Sequence, residues 1–211
     1  MMIQHTESDS DELNDIQFNK APDPKVDHIR SIKDSGCRRH FESGAVRDIC
    51  EGKGRMDLIP IDVVAELIHY FYVNQNPNIV NTDDRMHYIY HIVDDVRKYL
   101  TDPKNDLHLI EAIYMFCIMN GWSIFKCILE VSIQYEEGAK KYGENNWQKG
   151  IPLHCYIDSA LRHFMKFNDG WVDEPHDRAF VWNLIGAIWT IRHKPELIDI
   201  GSQDSSECDQ P

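Results

Sequence analysis

Apolar residues recur at helical spacing in one segment after another from Ile61 to Arg192, and this periodicity restricts the chain to a helical fold. Several segments end at a glycine or at a turn-forming run, such as Gly121, Gly143 and the NQNPN that follows Val73. Alternating strand patterns are nearly absent. The sequence therefore predicts an all-α protein, with helices at residues 61–72, 83–100, 107–120, 123–142, 153–168 and 178–192.

The helical region is flanked by segments of different composition. Residues 1–25 are polar and rich in Asp and Ser, so we expect a disordered N-terminus, and residues 201–211 predict a flexible tail. Residues 26–200 are predicted to form a single domain. Within it, residues 35–60 are charged and punctuated by glycine, which predicts an ordered N-terminal arm. Thr82 is predicted to cap the second helix.

Composition excludes several classes of function. The formal net charge of −13 argues against binding of nucleic-acid polymers, because phosphate backbones require clustered Lys and Arg. No apolar run approaches the ~20 residues that span a membrane, and the N-terminus has no signal-peptide pattern. The six cysteines form no CxxC pair, which argues against a zinc ribbon. We expect a cytoplasmic protein that binds no membrane.

The stretch from Gln134 to Asn183 concentrates charged and aromatic side chains on predicted helices. Glu136 and Glu137 lie four residues before Lys140 and Lys141, so each pair shares a helix face. Two interpretations stay open for these residues. They form either two solvated salt bridges, or a carboxylate that faces a divalent metal beside a lysine that faces a phosphate.

The next two predicted helices carry further polar groups. Asp158, Arg162 and His163 lie beside an apolar stripe, and the simplest alternative for the first two is an intrahelical ion pair worth a few tenths of a kcal/mol. His176 and Asn183 are seven residues apart, hence on one face of the last helix.

The types of these residues indicate a metal. Mg²⁺ prefers oxygen ligands, whereas imidazole suits Mn²⁺ or other transition metals better. Asp158, Asp173 and a glutamate of the earlier helix are therefore candidate oxygen ligands. His163 and His176 either ligate a softer metal or contact phosphate. The pattern predicts a metal-dependent phosphate site.

Two blocks of sequence resemble a known family. The first contains SGAVRDICEGKGRMDLIP, and the second contains GAKKYGENNWQKGIPLHCYIDSALRHFMKF followed by DEPHDRAFVWN. Their motifs and order resemble the phage-associated dATP/dGTP diphosphohydrolases, which are grouped with the MazG-like, all-α nucleoside triphosphate pyrophosphohydrolases. The resemblance implies a MazG-like helical bundle in the cytoplasm of a bacterium or a phage-infected host.

The resemblance also implies an activity, the hydrolysis of purine deoxynucleoside triphosphates (dATP or dGTP) to the monophosphate and pyrophosphate. Bound Mg²⁺, or Mn²⁺, would activate the attacking water and neutralise the triphosphate. The metal ligands would be Glu136, Glu137, Asp158 and Asp173. The catalytic residues would be Asp158, His163, His176 and Asn183. The substrate would be bound by Arg47, Lys53, Arg55, Lys141, Asn146, Trp147 and Arg162.

Some of these residues have a structural alternative. Arg47 and Arg55 suit bidentate phosphate contacts, but a solvated loop residue is the other interpretation of each. Trp147 either stacks on the base or packs as a loop anchor.

The chain departs from the family pattern in two ways. Residues 72–121 are extra and predict a helical insertion, whose simplest role is structural elaboration; a lid or a dimer surface is the alternative. The ExxE…ExxD signature of the wider MazG-like group is also missing, because Ile133 stands three residues after Glu130. MazG-like proteins generally pair helices between subunits, so we expect a homo-oligomer.

Two other functions fit parts of the sequence. HD-type metal-dependent phosphohydrolases have a histidine followed later in the chain by an adjacent His-Asp pair. His163, His176 and Asp177 occur in this order, although the spacing is short. A non-enzymatic helical phage accessory protein, which would bind a partner through the inserted helices, is the second alternative. Release of pyrophosphate distinguishes the first function from an HD-type enzyme, which would release phosphate or triphosphate or open a phosphodiester.

Overall fold

The computed structural model describes residues 36–48, 51–74 and 85–201. The chain divides into two compact units, residues 1–49 and 50–211. Residues 26–49, which the sequence pattern grouped with the helices, thus fall in the first unit. The predicted disorder at 1–25, the predicted cap at Thr82 and the predicted tail after residue 201 lie outside the described residues.

The described part of the first unit is a short antiparallel hairpin. Strand β1 (Arg38–His40) pairs with β2 (Val46–Asp48), and Arg39 lies opposite Arg47. The sequence pattern predicted an irregular arm here. It did not reveal the strands, because three residues are too few to establish an alternating pattern.

The described part of the second unit is built from helices, which confirms the predicted all-α class. Most of them lie where the periodicity predicted. The last helix begins at His176 rather than at Arg178, directly after Pro175. The helices are α1 (Ile61–Val73), α2 (Arg85–Thr101), α3 (Leu107–Met119), α4 (Ile124–Tyr142), α5 (Leu153–Asn168) and α6 (His176–His193).

The ends of α4 follow from local chemistry. Ser123 caps the N-terminus, because its Oγ accepts a hydrogen bond from the amide of Lys126 at 3.2 Å. Gly143 ends the helix with a φ of 91°, a conformation that side chains with a Cβ disfavour. The resulting 19-residue helix contacts both the Gly52–Gly54 loop and the cavity described below.

The hydrophobic core joins α3, α5 and α6. The rings of Phe116 and Phe180 have centroids 4.8 Å apart, and Phe164 lies 5.1 Å from Phe180. All three side chains are fully buried. Gly186 allows α6 to approach α5, because an added Cβ would lie 2.5 Å from Cε1 of Tyr156. The close packing of α5 on α6 fixes the positions of the polar residues at the end of this helix pair.

No single helix within the described ranges has both the length and the apolar character to cross a membrane. Taken together, α3 and α4 satisfy the two criteria, but the chain bends by 106° between them.

Candidate active site

A cavity of about 580 Å³ opens on the second unit, bounded by α4, α5, α6 and the 3₁₀ turn Asn146–Lys149. Its lining combines five tyrosine and tryptophan side chains with a larger number of polar ones. The aromatic residues are Tyr135, Tyr142, Trp147, Tyr156 and Trp182, and the polar ones include Gln134, Glu137, Lys141, Asn146, Ser159, His163, Glu174 and Asn183.

Two histidines and a glutamate converge beside this cavity. Nδ1 of His163, on α5, lies 3.0 Å from Nδ1 of His176, the first residue of α6. Oε1 of Glu174, in the connector between the two helices, lies 3.6 Å from each of these nitrogens. The point equidistant from the three atoms is about 2.0 Å from each, which is the distance at which Zn²⁺, Mg²⁺ and similar cations hold nitrogen and oxygen. The three side chains therefore fit a divalent metal.

Asp173 orients His176 for this role. One oxygen of Asp173 lies 2.7 Å from Nε2 of His176, and the other accepts a hydrogen bond from Lys166 at 2.9 Å. The hydrogen bonds from Lys166 and His176 lower the pKa of Asp173 to about 2, so its carboxylate is charged and Nε2 of His176 carries the hydrogen. Nδ1 of His176, which lies 3.0 Å from Nδ1 of His163, is then the nitrogen that carries the lone pair. Carboxylates orient metal-binding histidines in this way in many metal sites.

His163 is held in its neutral form. Its side chain is 15% exposed. Burial lowers the pKa of His163 below the ordinary histidine value, although the charge of Glu174 opposes this effect. A neutral imidazole is the form that binds a metal or accepts a proton.

Glu136 anchors the Gly52–Gly54 loop to α4. Its buried carboxylate accepts hydrogen bonds from the amides of Gly52 and Gly54 and from Lys140, all at 2.9 Å. Burial raises the pKa of Glu136, but these hydrogen bonds outweigh it and hold the pKa below its ordinary value. Gly54 has a φ of 82°, and a Cβ at this position would collide with the Ser132 hydroxyl, so the anchor requires glycine here.

The cations that the sequence assigned to the arm have different surroundings. Arg47 is exposed on β2 of the first unit. Lys53 is exposed within the glycine loop that Glu136 holds. Arg55 forms a bidentate pair with Asp57, at 2.7 and 2.6 Å, and a further contact with Glu144 at 2.8 Å. A phosphate that binds Arg55 must therefore compete with two carboxylates.

Asp158 and Arg162 form the intrahelical ion pair that was the simpler interpretation of their spacing. Their contact is 2.7 Å long, and the side chains are 65% and 53% exposed. Arg162 also donates to the hydroxyl of Ser159 at 3.0 Å. Neither Asp158 nor Arg162 is among the residues that line the cavity.

The four carboxylates predicted as metal ligands are not brought together. Glu136 serves the arm, Asp158 is paired with an arginine, and Asp173 contacts Lys166 and His176. Glu137 lines the cavity, half exposed, and accepts a hydrogen bond from Arg178 at 2.8 Å. Over the described ranges, ligand-type atoms gather in two places, His163–Glu174–His176 and a group on α2 and α3.

The remaining predicted residues all line the cavity. Lys141 places its Nζ 4.9 Å from the centre of the Tyr142 ring. Asn146 accepts a hydrogen bond from Lys149 at 3.1 Å, and the buried Asn183 donates to a backbone carbonyl of its own helix at 2.8 Å.

Trp147 packs as the loop anchor that was one of its two interpretations, and it also lines the cavity. Only 7% of it is exposed, and its ring meets those of Tyr135 and Trp189 edge to face, with centroids 5.5 and 4.8 Å apart. It therefore anchors the 3₁₀ turn while one part of it faces the cavity.

Sequence reasoning missed Glu174 as a member of the candidate metal site and missed Tyr135, Tyr156 and Trp182 as walls of the cavity. A signal for Glu174 exists, since it stands between Asp173 and the proline that precedes α6. The wall residues carry no such signal, because their spacing is that of ordinary core aromatics.

The fold and the cavity together define an all-α protein with a candidate site for a metal and a small anionic ligand. A family model described as dATP/dGTP diphosphohydrolase, N-terminal, matches residues 98–200. This match covers just under half of the chain and supports the family that the motifs indicated. The name of the family implies a hydrolase that acts on nucleoside triphosphates.

The matched range contains α3 to α6 and all three residues of the His163–Glu174–His176 group. It begins inside residues 72–121, the range predicted as an insertion, so α3 lies within the family domain. The arm at residues 51–60 lies outside it. No curated protein and no solved structure matches the chain.

Proposed function

We propose that this protein cleaves dATP or dGTP to the deoxynucleoside monophosphate and pyrophosphate. The observation that carries the proposal is the convergence of His163, Glu174 and His176 beside a cavity of about 580 Å³, within the range that matches the family. This volume is in the range of small-molecule sites, roughly 300–1,000 Å³. Phosphate hydrolysis needs a cation and a pocket for the base, and this region supplies candidates for both.

The donor atoms of the group suit a divalent cation. Two imidazole nitrogens with one carboxylate oxygen favour Mn²⁺ or another transition metal over Mg²⁺, which prefers oxygen. His163 and His176 would hold the cation through Nδ1, and Glu174 through Oε1. A cation held there would lower the pKa of a bound water and neutralise charge on the triphosphate.

The chain's own residues would position the substrate. Lys141 would contact the phosphates from α4, and the aromatic walls formed by Tyr135, Trp147 and Trp182 would take the purine. Asp173 would keep His176 in the tautomer with a free Nδ1. Glu136, which the sequence assigned to the metal, would instead hold the Gly52–Gly54 loop and with it Lys53.

The prediction of a homo-oligomer also remains a proposal. Phe125 and Leu129 lie one turn apart on α4 and are 66% and 55% exposed, which suits a helix that pairs with another subunit. Light scattering coupled to gel filtration gives the oligomeric state.

The proposal is tested by incubating the protein with each of the eight common nucleoside triphosphates, with Mg²⁺ or Mn²⁺, and separating the products. We expect monophosphate and pyrophosphate from dATP or dGTP, and loss of turnover in Glu174→Gln. Phosphate or triphosphate as the product would instead indicate an HD-type enzyme. A folded protein that turns over no nucleotide would reject both enzymatic functions and leave the accessory protein.

A further inference from the structure

A second group of metal-ligand side chains lies outside the candidate active site, where α2 packs against α3. Asp95 is on α2, and His108 and Glu111 are on α3. Each offers one ligand atom, and the three atoms all lie within 4.8 Å of one another. His108 and Glu111 share a helix face because they are three residues apart. None of the three has a role in the site described above.

The spacing inside the group suits a small cation. Nδ1 of His108 lies 3.0 Å from Oε2 of Glu111. Two ligands held tetrahedrally at ~2.0 Å from one zinc ion are about 3.3 Å apart, so little adjustment is needed for both to reach the same ion. One nitrogen and two carboxylate oxygens is also a donor set that zinc accepts.

Asp95 is an unusual residue for a helix interface. It is 5% exposed, and a carboxylate in such a position is costly unless a partner of opposite charge compensates it. Its contact in the structure is with Lys98, at 3.2 Å, and that lysine is itself 42% exposed. Lys98 also contacts Asp94, at 3.1 Å. A cation at Asp95 can therefore displace Lys98 without leaving the lysine unpaired.

The group also has room for an ion and its water. A cavity of about 230 Å³ adjoins it, lined by Asp95, Glu111 and Tyr70 among others. His91, one turn before Asp95 on the same helix, lines this cavity too. Water molecules in this space can complete the coordination that three protein ligands leave open.

We propose that Asp95, His108 and Glu111 form a second metal site, which binds a divalent first-row transition metal such as Zn²⁺ and links α2 to α3. It is separate from the His163–Glu174–His176 group, and it does not depend on the proposed activity. Its ligands come from both helices of the pair, so the bound ion stabilises their packing.

The experiment is a titration of the full chain with Zn²⁺ alone, in which the number of bound equivalents is measured by equilibrium dialysis and elemental analysis. We expect two equivalents for the wild type. Asp95→Asn and His108→Gln should each lose one of them, because each removes one of the three protein ligands. His163→Gln should lose the other equivalent and keep the one on α2 and α3.

His69→Gln is the control, because His69 is an exposed histidine on α1, and it should keep both equivalents. Circular dichroism confirms that each variant is folded. His108 is only partly buried, so its variant keeps the test valid if Asp95→Asn fails to fold. The proposal is overturned if the wild type binds one equivalent that only His163→Gln removes, or if His108→Gln retains both.

Discussion

Asp173 accepts a hydrogen bond from Nε2 of His176, and this contact fixes which nitrogen of the buried histidine faces His163. The relationship reverses the role that the sequence suggested for Asp173. Instead of holding the metal directly, Asp173 would act on it through the tautomer of His176.

This difference gives a first prediction. Asp173→Asn should lower Mn²⁺ affinity and kcat/KM about 10–100-fold, because an amide no longer fixes the tautomer as a charged acceptor does. Asp158→Asn is the matched variant, since the sequence predicts a catalytic carboxylate there while the structure pairs it with Arg162 in solvent. We expect it to change kcat/KM less than about threefold. If Asp158→Asn is the more damaging change, the ligand assignment made from the sequence is the correct one.

Glu136→Gln should loosen the Gly52–Gly54 loop without changing metal binding at the His163–Glu174–His176 group. The substitution removes the negative charge of the carboxylate that accepts hydrogen bonds from two amides and from Lys140. The free energy of unfolding should therefore fall by about 1–3 kcal/mol. Limited proteolysis near Gly52 should become faster. Metal affinity, measured by titration, should not change. Glu51→Gln, which removes an exposed partner of the same lysine, serves as the control; a large loss of metal affinity in Glu136→Gln would make Glu136 a ligand.

The same carboxylate makes stability depend on pH. The pKa of Glu136 is held below its ordinary value of 4.5 in the folded protein, so its contribution is complete above that value and is lost as the pH falls through the folded pKa. The stability gap between the wild type and Glu136→Gln should therefore be widest near neutral pH and should close in acid. Denaturant unfolding at a series of pH values measures it, and a gap that stays constant down to about pH 3 contradicts the prediction.

Gly186→Ala should disturb the packing of α6 on α5. The new methyl group would meet the ring of Tyr156, a wall of the cavity, and should cost about 1–3 kcal/mol of stability. Gly138→Ala is a matched control, because Gly138 is also a helical glycine, but a methyl group added there would meet no atom within 4 Å. It should be neutral or stabilising by up to about 1 kcal/mol. Thermal denaturation compares the stability of the two variants. Equal effects would contradict the close approach of α6 to α5 at Gly186.

Lys141→Gln should weaken substrate binding more than chemistry. The side chain lines the cavity and lies over the ring of Tyr142, so KM for the nucleotide should rise about tenfold while kcat changes little. Lys126→Gln removes an exposed lysine that lies over Trp122, away from the cavity, and controls for net charge. Steady-state kinetics of the two variants measure KM and kcat separately. A loss confined to kcat would place Lys141 in the chemical step.

The sequence was sufficient for the helices because apolar periodicity and local stop signals, such as Ser123 and Gly143, are properties of neighbouring residues. It also singled out His163 and His176, whose ring nitrogens the fold brings within 3.0 Å of each other. It was not sufficient for Glu136, whose partners Gly52 and Gly54 are more than eighty residues away along the chain. A carboxylate that binds backbone amides and one that binds a metal have the same sequence signature, and only the fold separates them.

The three atoms of the His163–Glu174–His176 group lie within a short piece of chain, with the histidines thirteen residues apart. The Gly52–Gly54 loop reaches Glu136 across a separation of eighty-four residues. Closing a short loop costs less chain entropy and occurs faster than closing a long one. In a full-length chain that refolds, the α5–α6 hairpin would thus bring His163, Glu174 and His176 together before the loop that carries Lys53 is in place.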